Sequence, residues 1–162
     1  MIVVSDTTAI SSLYKINHLH LLRDIFGEVI VPVQVYEELK YFEKLNPEFN
    51  WSKSYAWIKP LEVQQSLLYN NLQNVLDEGE SAAIALTIQI HADLLLIDEK
   101  LGRKIAAENG VRVIGLVGVL ELAKKRNLIS VIKPVMDELI HTADFRISKK
   151  LYEHTLRIAN EK

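Results

Sequence analysis

Short apolar runs alternate along this chain with longer segments of helical periodicity, and that alternation constrains the fold more than any other feature. Ile2 to Ser5, Glu28 to Val31, Leu94 to Ile97 and Val111 to Ile114 are too short for helices and carry the apolar side chains of buried strands. Between them, Ile10, Leu13, Tyr14 and Ile16 recur at helical spacing, as do Leu19, Leu22, Ile25 and Phe26, and then Val33, Val35, Tyr36, Leu39 and Phe42. Strands separated by helices predict a parallel sheet of four to five strands with right-handed crossovers and helices on both faces. The class is α/β.

Local signals place the boundaries. Thr7 or Thr8 is expected to cap the first helix and Asn17 the second, which Gly27 stops. Pro32 suits the first turn of a third helix, and Glu38 projects from that helix. Residues 46–56 lose periodicity and read as an irregular surface insertion. Trp57 to Leu61 reads as an edge strand, because Pro60 cannot donate to a central ladder. A polar helix is expected over 63–74, an alanine-rich one from Glu80 to His91, and another from Glu99 to Asn109 that Gly110 stops. The tail predicts helices near 115–126, 130–141 and 148–160, the last with Leu151, Thr155 and Ile158 on one stripe. That stripe is read as core packing, with a partner surface as the alternative. The chain is expected to form one domain over 1–162, with a helical C-terminal extension over 130–162.

Bulk properties exclude more than they assign. Hydrophobic residues at 49% and charged residues at 25% exclude a disordered or fibrous chain. The absence of cysteine removes disulfides and zinc–thiolate chemistry and is compatible with a reducing cytosol. Asp6 interrupts the first apolar run, no basic segment precedes it, and no run approaches the length of a membrane helix, so a cytoplasmic location without a membrane partner is expected. A net charge of −2 offers nucleic acid no global attraction. Arg103, Lys124, Lys125, Arg126, Arg146 and Lys149 nevertheless crowd the later part of the chain and allow a local basic rim.

Four acids stand where predicted strands end or helices turn: Asp6, Glu38, Glu80 and Asp98. Groups just past the carboxyl ends of neighbouring parallel strands converge on one crevice, which is where such sheets bind ligands. Carboxylates forced together there need a cation, a proton or an arginine. The pattern points to a divalent-metal site acting on a phosphodiester. Hard cations such as magnesium choose oxygen ligands, keep several waters and take one or two carboxylates each, so three or four acids suffice.

The runs Val3-Val4-Ser5-Asp6-Thr7-Thr8, Val31-Pro32-Val33-Gln34-Val35-Tyr36-Glu37-Glu38-Leu39, Gly79-Glu80-Ser81-Ala82-Ala83-Ile84-Ala85-Leu86 and Leu96-Ile97-Asp98-Glu99-Lys100-Leu101-Gly102-Arg103 occur in that order. Together they resemble a PIN-domain protein, and more closely a prokaryotic PIN-like branch described as nucleic-acid-binding, whose tail is similar to Val113-Ile114-Gly115 with Leu120 and Ala123-Lys124. The resemblance implies a three-layer ribonuclease fold whose acids hold Mg2+ or Mn2+. It also implies the toxin half of a toxin–antitoxin pair, with RNA as substrate, a small cognate antitoxin as partner and a homodimer as the usual assembly. Asp6 matches the aspartate after the first strand, Glu38 the glutamate of the helix after the Val-Pro turn, and Asp98 the aspartate ending the fourth strand. Glu80 stands where toxin-type members carry an aspartate. Asp6 and Asp98 are then the principal ligands, Glu38 a ligand or base, and Glu80 the holder of a second metal or its water. A non-catalytic module of the same fold, binding protein or RNA, is the alternative.

Each acid also has a plainer reading. Asp6 and Asp98 can be helix caps, and Glu80 can favour a helix N-terminus through the dipole. Asp77, Glu78 and Glu99 read as solvated acids, with Glu99 near enough to Asp98 to reach a metal. Thr8 and Arg103 are candidates for substrate phosphate, Arg103 having a surface ion pair as its alternative. His18 and His20 lie two residues apart, a spacing that does not put both on one helical face. Trp51, Tyr55 and Trp57 either stack on unpaired bases or cover the core. The six glycines are scattered and form no phosphate-binding loop.

Overall fold

The computed structural model describes residues 1–162, the Ser52 side chain aside. The chain enters through β1 (Val3–Ser5), all three residues buried, and turns directly into α1 (Thr7–Lys15). Asp6 caps α1 in place of either threonine. Its backbone is still extended, at φ −78° and ψ 171°, and it carries the last side-chain oxygen before the helix begins. The second helix, α2 (His20–Phe26), starts without a side-chain cap. Asn17 instead takes the left-handed conformation at φ 58° and turns the chain between the two helices.

β2 (Val29–Pro32) leads into α3 (Val33–Leu45), whose Val35 and Leu39 are buried. The insertion is not loose. A 3-10 turn at Pro47–Phe49 and the short α4 (Trp51–Ser54) drive Phe49 and Trp51 into the interior, at 0% and 2% exposure. Phe49 packs edge-on to Tyr14 at 4.5 Å and to Phe42 at 5.2 Å, and Trp51 packs on Tyr36 at 4.4 Å. Aromatic burial, which leaves no periodic trace, holds this segment. Trp51 therefore covers the core, as do the partly buried Tyr55 and Trp57.

β3 (Ile58–Leu61), α5 (Leu67–Gln73), α6 (Glu78–Gln89), β4 (Leu94–Leu96), α7 (Lys100–Glu108) and β5 (Val113–Ile114) follow. The tail forms α8 (Leu116–Lys125), α9 (Lys133–His141) and α10 (Lys149–Ile158). α6 begins two residues earlier than its composition predicts because Asp77, not a residue near Gly79, caps it and accepts the Glu80 N–H at 2.8 Å. In α10 the predicted stripe splits: Thr155 is buried beside Leu156, while Leu151 and Ile158 are 41% and 58% exposed.

All strand pairs are parallel, in the order β3-β2-β1-β4-β5. β3 lies at an edge, where Pro60 is tolerated opposite Val31. Alternation along the strands splits the core into two layers. Val29, Val31 and Leu96 face α1, α2 and α8, whereas Val4, Leu95 and Ile97 face α5, α6 and Ala106 of α7. The result is helix–sheet–helix, a three-layer α/β fold. No helix among the described residues is long and apolar enough to cross a membrane.

Candidate active site

The strand order reverses at β1, which pairs with β2 on one side and with β4 on the other. A crevice opens at such a switch point beyond the carboxyl ends of the strands. Asp6 follows β1 immediately, and its N–H donates to the Leu96 carbonyl of β4 at 3.0 Å, which ties the two strand ends together. Asp98 lies two residues past β4.

Around this crevice the structure brings Asp6, Glu38 and Glu80 into one interacting group. The Thr7 N–H donates to Asp6 Oδ1 at 2.7 Å, and the Thr7 hydroxyl donates to Glu38 Oε2 at 2.5 Å, so a single threonine orients both acids. Gly79, in the first turn of α6, lets the group close: a Cβ there would lie 2.5 Å from Glu38 Oε1 and 3.4 Å from Asp6 Oδ1. Glu80, the next residue, is buried at the same helix end.

The electrostatics follow from that crowding. Burial first, and then the charges of Asp77, Glu80 and Glu38, push the Asp6 carboxyl up to about 7 against the Thr7 N–H, which lowers it. Burial and then Asp77, Glu99 and Glu38 raise Glu80 to about 7, against the pull of its backbone hydrogen bond. Glu38 is also raised, by burial first and by Asp77 and Glu78, while the Thr7 hydrogen bond eases it. The charges that act on Asp6 and Glu80 are all acidic.

Asp98 is held differently. Its Oδ1 accepts the Leu116 N–H at 2.8 Å, while its Oδ2 is buried without a hydrogen-bond partner. Burial raises its pKa, and the Leu116 N–H and the Arg103 guanidinium work against that rise. Arg103 also donates to the Ile97 carbonyl at 3.2 Å. The absence of a Cβ at Gly115 leaves room for both groups, since one there would lie 2.5 Å from Arg103 Nη1 and 2.9 Å from Asp98 Oδ1. Asp98 and Glu80 line one groove of about 920 Å³ together with Thr8, Lys15, Arg103 and Arg146. Thr8 is exposed there.

Two acids read as solvated prove to be helix caps. Asp77 caps α6 and adds its charge to Asp6, Glu38 and Glu80. The signal was present, because Asp77 and Glu80 have the spacing of a capping box. Glu99 caps α7 by accepting the Gly102 N–H at 2.8 Å, so this oxygen is engaged rather than free for a metal. Thr7, which orients two of the acids, has no motif that marks it beforehand. His18 and His20 stack with ring centroids 5.9 Å apart, because α2 starts only at His20 and helical phase does not govern the pair.

Among the described residues no group of three His, Asp or Glu side chains stands as a ready metal cage. The donor set still suits a hydrated hard cation, which takes one or two carboxylates and keeps the rest of its waters. The orphaned Asp98 Oδ2 and the mutually repelling Asp6 and Glu80 are the groups a cation would satisfy.

An open parallel sheet with a carboxylate-lined crevice at its switch point is the class these features define. A PIN-domain model matches residues 2–161, and the chain belongs to the PIN-domain family. PIN domains are in general nucleases that use divalent metals. No curated protein matches the chain.

Proposed function

We propose that the protein is a metal-dependent endoribonuclease, the toxin of a toxin–antitoxin pair acting in the cytoplasm on RNA. One observation carries the catalytic part: at the sheet's switch point Thr7 orients both Asp6, just after β1, and Glu38 of α3, and Gly79 leaves them room beside the buried Glu80 of α6. In this reading Asp6 and Asp98 are the principal ligands of Mg2+ or Mn2+, and Glu80 holds a second ion or its water. The bound cation supplies positive charge at the scissile phosphate and lowers the pKa of water. Glu38, at the rim and oriented by the Thr7 hydroxyl, with its pKa raised from the ordinary glutamate value, would be placed to accept a proton at its carboxylate. Thr8 and Arg103 line the groove of about 920 Å³, where Lys15, Arg103 and Arg146 stand among Glu80, Asp98, Glu99, Glu121 and Asp144, and are assigned to the flanking phosphates. The family resemblance supports the toxin role, a cognate antitoxin and a homodimer.

Arg103 beside Asp98 favours a second reading, in which the crevice is neutralised internally and the fold serves only to bind. Manganese titration and RNA cleavage separate the two. The nuclease reading expects wild-type protein to bind Mn2+ and to cleave labelled single-stranded RNA, and Asp98→Asn to lose at least about a hundredfold in rate. Full cleavage by Asp98→Asn would remove the mechanism, and a wild type that binds no Mn2+ would leave the binding module.

A further inference from the structure

A second groove, of about 850 Å³, adjoins the acids and shares Ser11 with the first. Thr7 and Glu38 form its inner end, so it opens directly onto the proposed reaction site. Its wall is a stripe of α3. Gln34, Glu38, Tyr41 and Leu45 recur at helical spacing and therefore share a face. Tyr41 and Leu45 are each 64% exposed, which leaves an aromatic ring and an aliphatic side chain uncovered one and two turns beyond Glu38.

The charge of this groove decides what fits it. Glu37, Glu38 and Glu78 line it, and no lysine or arginine does among the described lining residues. Lys40 lies over the Tyr36 ring at 4.7 Å and reaches Glu37 in an exposed pair at 3.6 Å, a contact that solvent screens. A phosphate would be repelled here. A neutral group that offers a flat π-face and N–H donors would be stacked and hydrogen-bonded, since carboxylates accept from base amino groups. Basic side chains for the phosphates of the same strand, Lys15, Arg103 and Arg146, stand in the other groove, which holds acids as well.

We propose that the groove between α1, α3 and the first turn of α6 is a nucleobase site. It takes an unpaired RNA base bearing an exocyclic amino group, stacked on Tyr41 and held through that amino group by Glu37. This assignment rests on the nuclease reading for its biological substrate, but its test does not need cleavage. Saturation-transfer NMR with adenosine, cytidine and uridine, without metal or phosphate, reads the groove alone. Wild-type protein is expected to transfer saturation to adenosine and cytidine at least about fivefold more strongly than to uridine, which has no amino group. Tyr41→Ala should lower all signals at least about fivefold, and Glu37→Gln should bring adenosine and cytidine down to the uridine level. Both side chains are exposed, so the variants should keep the wild-type circular dichroism spectrum. Equal signals for the three nucleosides, or signals unchanged in Tyr41→Ala, overturn the site. So does a sedimenting dimer that Tyr41→Ala dissociates, because the groove is then an interface between copies. Discrimination without any RNA cleavage would keep the base site and sink only the nuclease reading.

Discussion

Asp6 shows how much one residue carries in this protein. It follows a strand, caps a helix and sits among three other acids that α3 and the start of α6 bring to it. The native carboxyl titrates near 7, whereas in the unfolded chain it titrates near 3.8. Between those values the native state binds more protons than the unfolded state, so stability falls as pH rises through the window and the loss is complete above it. Metal-free protein should therefore unfold at higher urea at pH 5 than at pH 8. Asp6→Asn should flatten that dependence and stabilise the metal-free protein at pH 8 by on the order of 1 kcal/mol. Glu161 and Asp137, whose pKa values lie below the usual range, stay ionised at pH 5 and do not reverse the sign. A wild type as stable at pH 8 as at pH 5 in chelator would contradict the clustering.

At the scale of elements, a side chain beyond the end of the C-terminal helix ties it to α8 and α9, beside the Tyr152 hydroxyl that donates to Asp137 of α9. Glu161 accepts the Ile132 and Lys133 N–H groups at 2.8 and 2.9 Å, at the start of α9, and the Lys124 ammonium of α8 at 2.6 Å. Burial raises its pKa, but Lys124 and the two N–H groups outweigh that and hold it below the usual range. Glu161→Gln keeps the shape and removes the charge. It should cost about 2 kcal/mol in urea unfolding, the scale of a charge-assisted, partly buried network, and a change within about 0.5 kcal/mol would assign the latch to α10 packing instead. The same scale explains what the sequence concealed. Helix and strand identities were legible from periodicity and Pro60 marked the edge, but residues 46–56 were not, because Phe49 and Trp51 are buried by contacts with Tyr14, Phe42 and Tyr36 that no local pattern records.

For the whole molecule, strand order does the assembling. Asp6 and Asp98 lie some ninety residues apart in the chain, and the pairing of β1 with β4, Val4 opposite Leu95 and Ser5 opposite Leu96, sets both just past the ends of neighbouring strands. A cation bridging acids on separate elements should therefore stabilise the entire fold. Saturating Mn2+ should raise the melting temperature of the wild type, with about 2.7 kcal/mol gained at a hundredfold excess over Kd. Asp98→Asn should lose most of that shift. An identical shift in the variant would place the ion elsewhere. Of the candidate site, Asp6, Glu80 and Asp98 were legible as acids at element ends, and Glu38 as an acid projecting from the helix after Pro32. Thr7 and the open space at Gly79 and Gly115 became visible only once the chain was folded, as did the field that Asp77, legible as a cap by its spacing from Glu80, adds to the cluster.

The sequence alone determined the layers, since apolar period and turn residues are local properties that need only a few neighbours to read. Tertiary structure decided which acids share a field and which are merely caps, and where the aromatic residues of the insertion go. It also decided that α10 leaves Leu151 and Ile158 uncovered. Pairing of distant strands and the dielectric around a carboxylate are set by everything packed nearby, and no stretch of residues encodes them by itself.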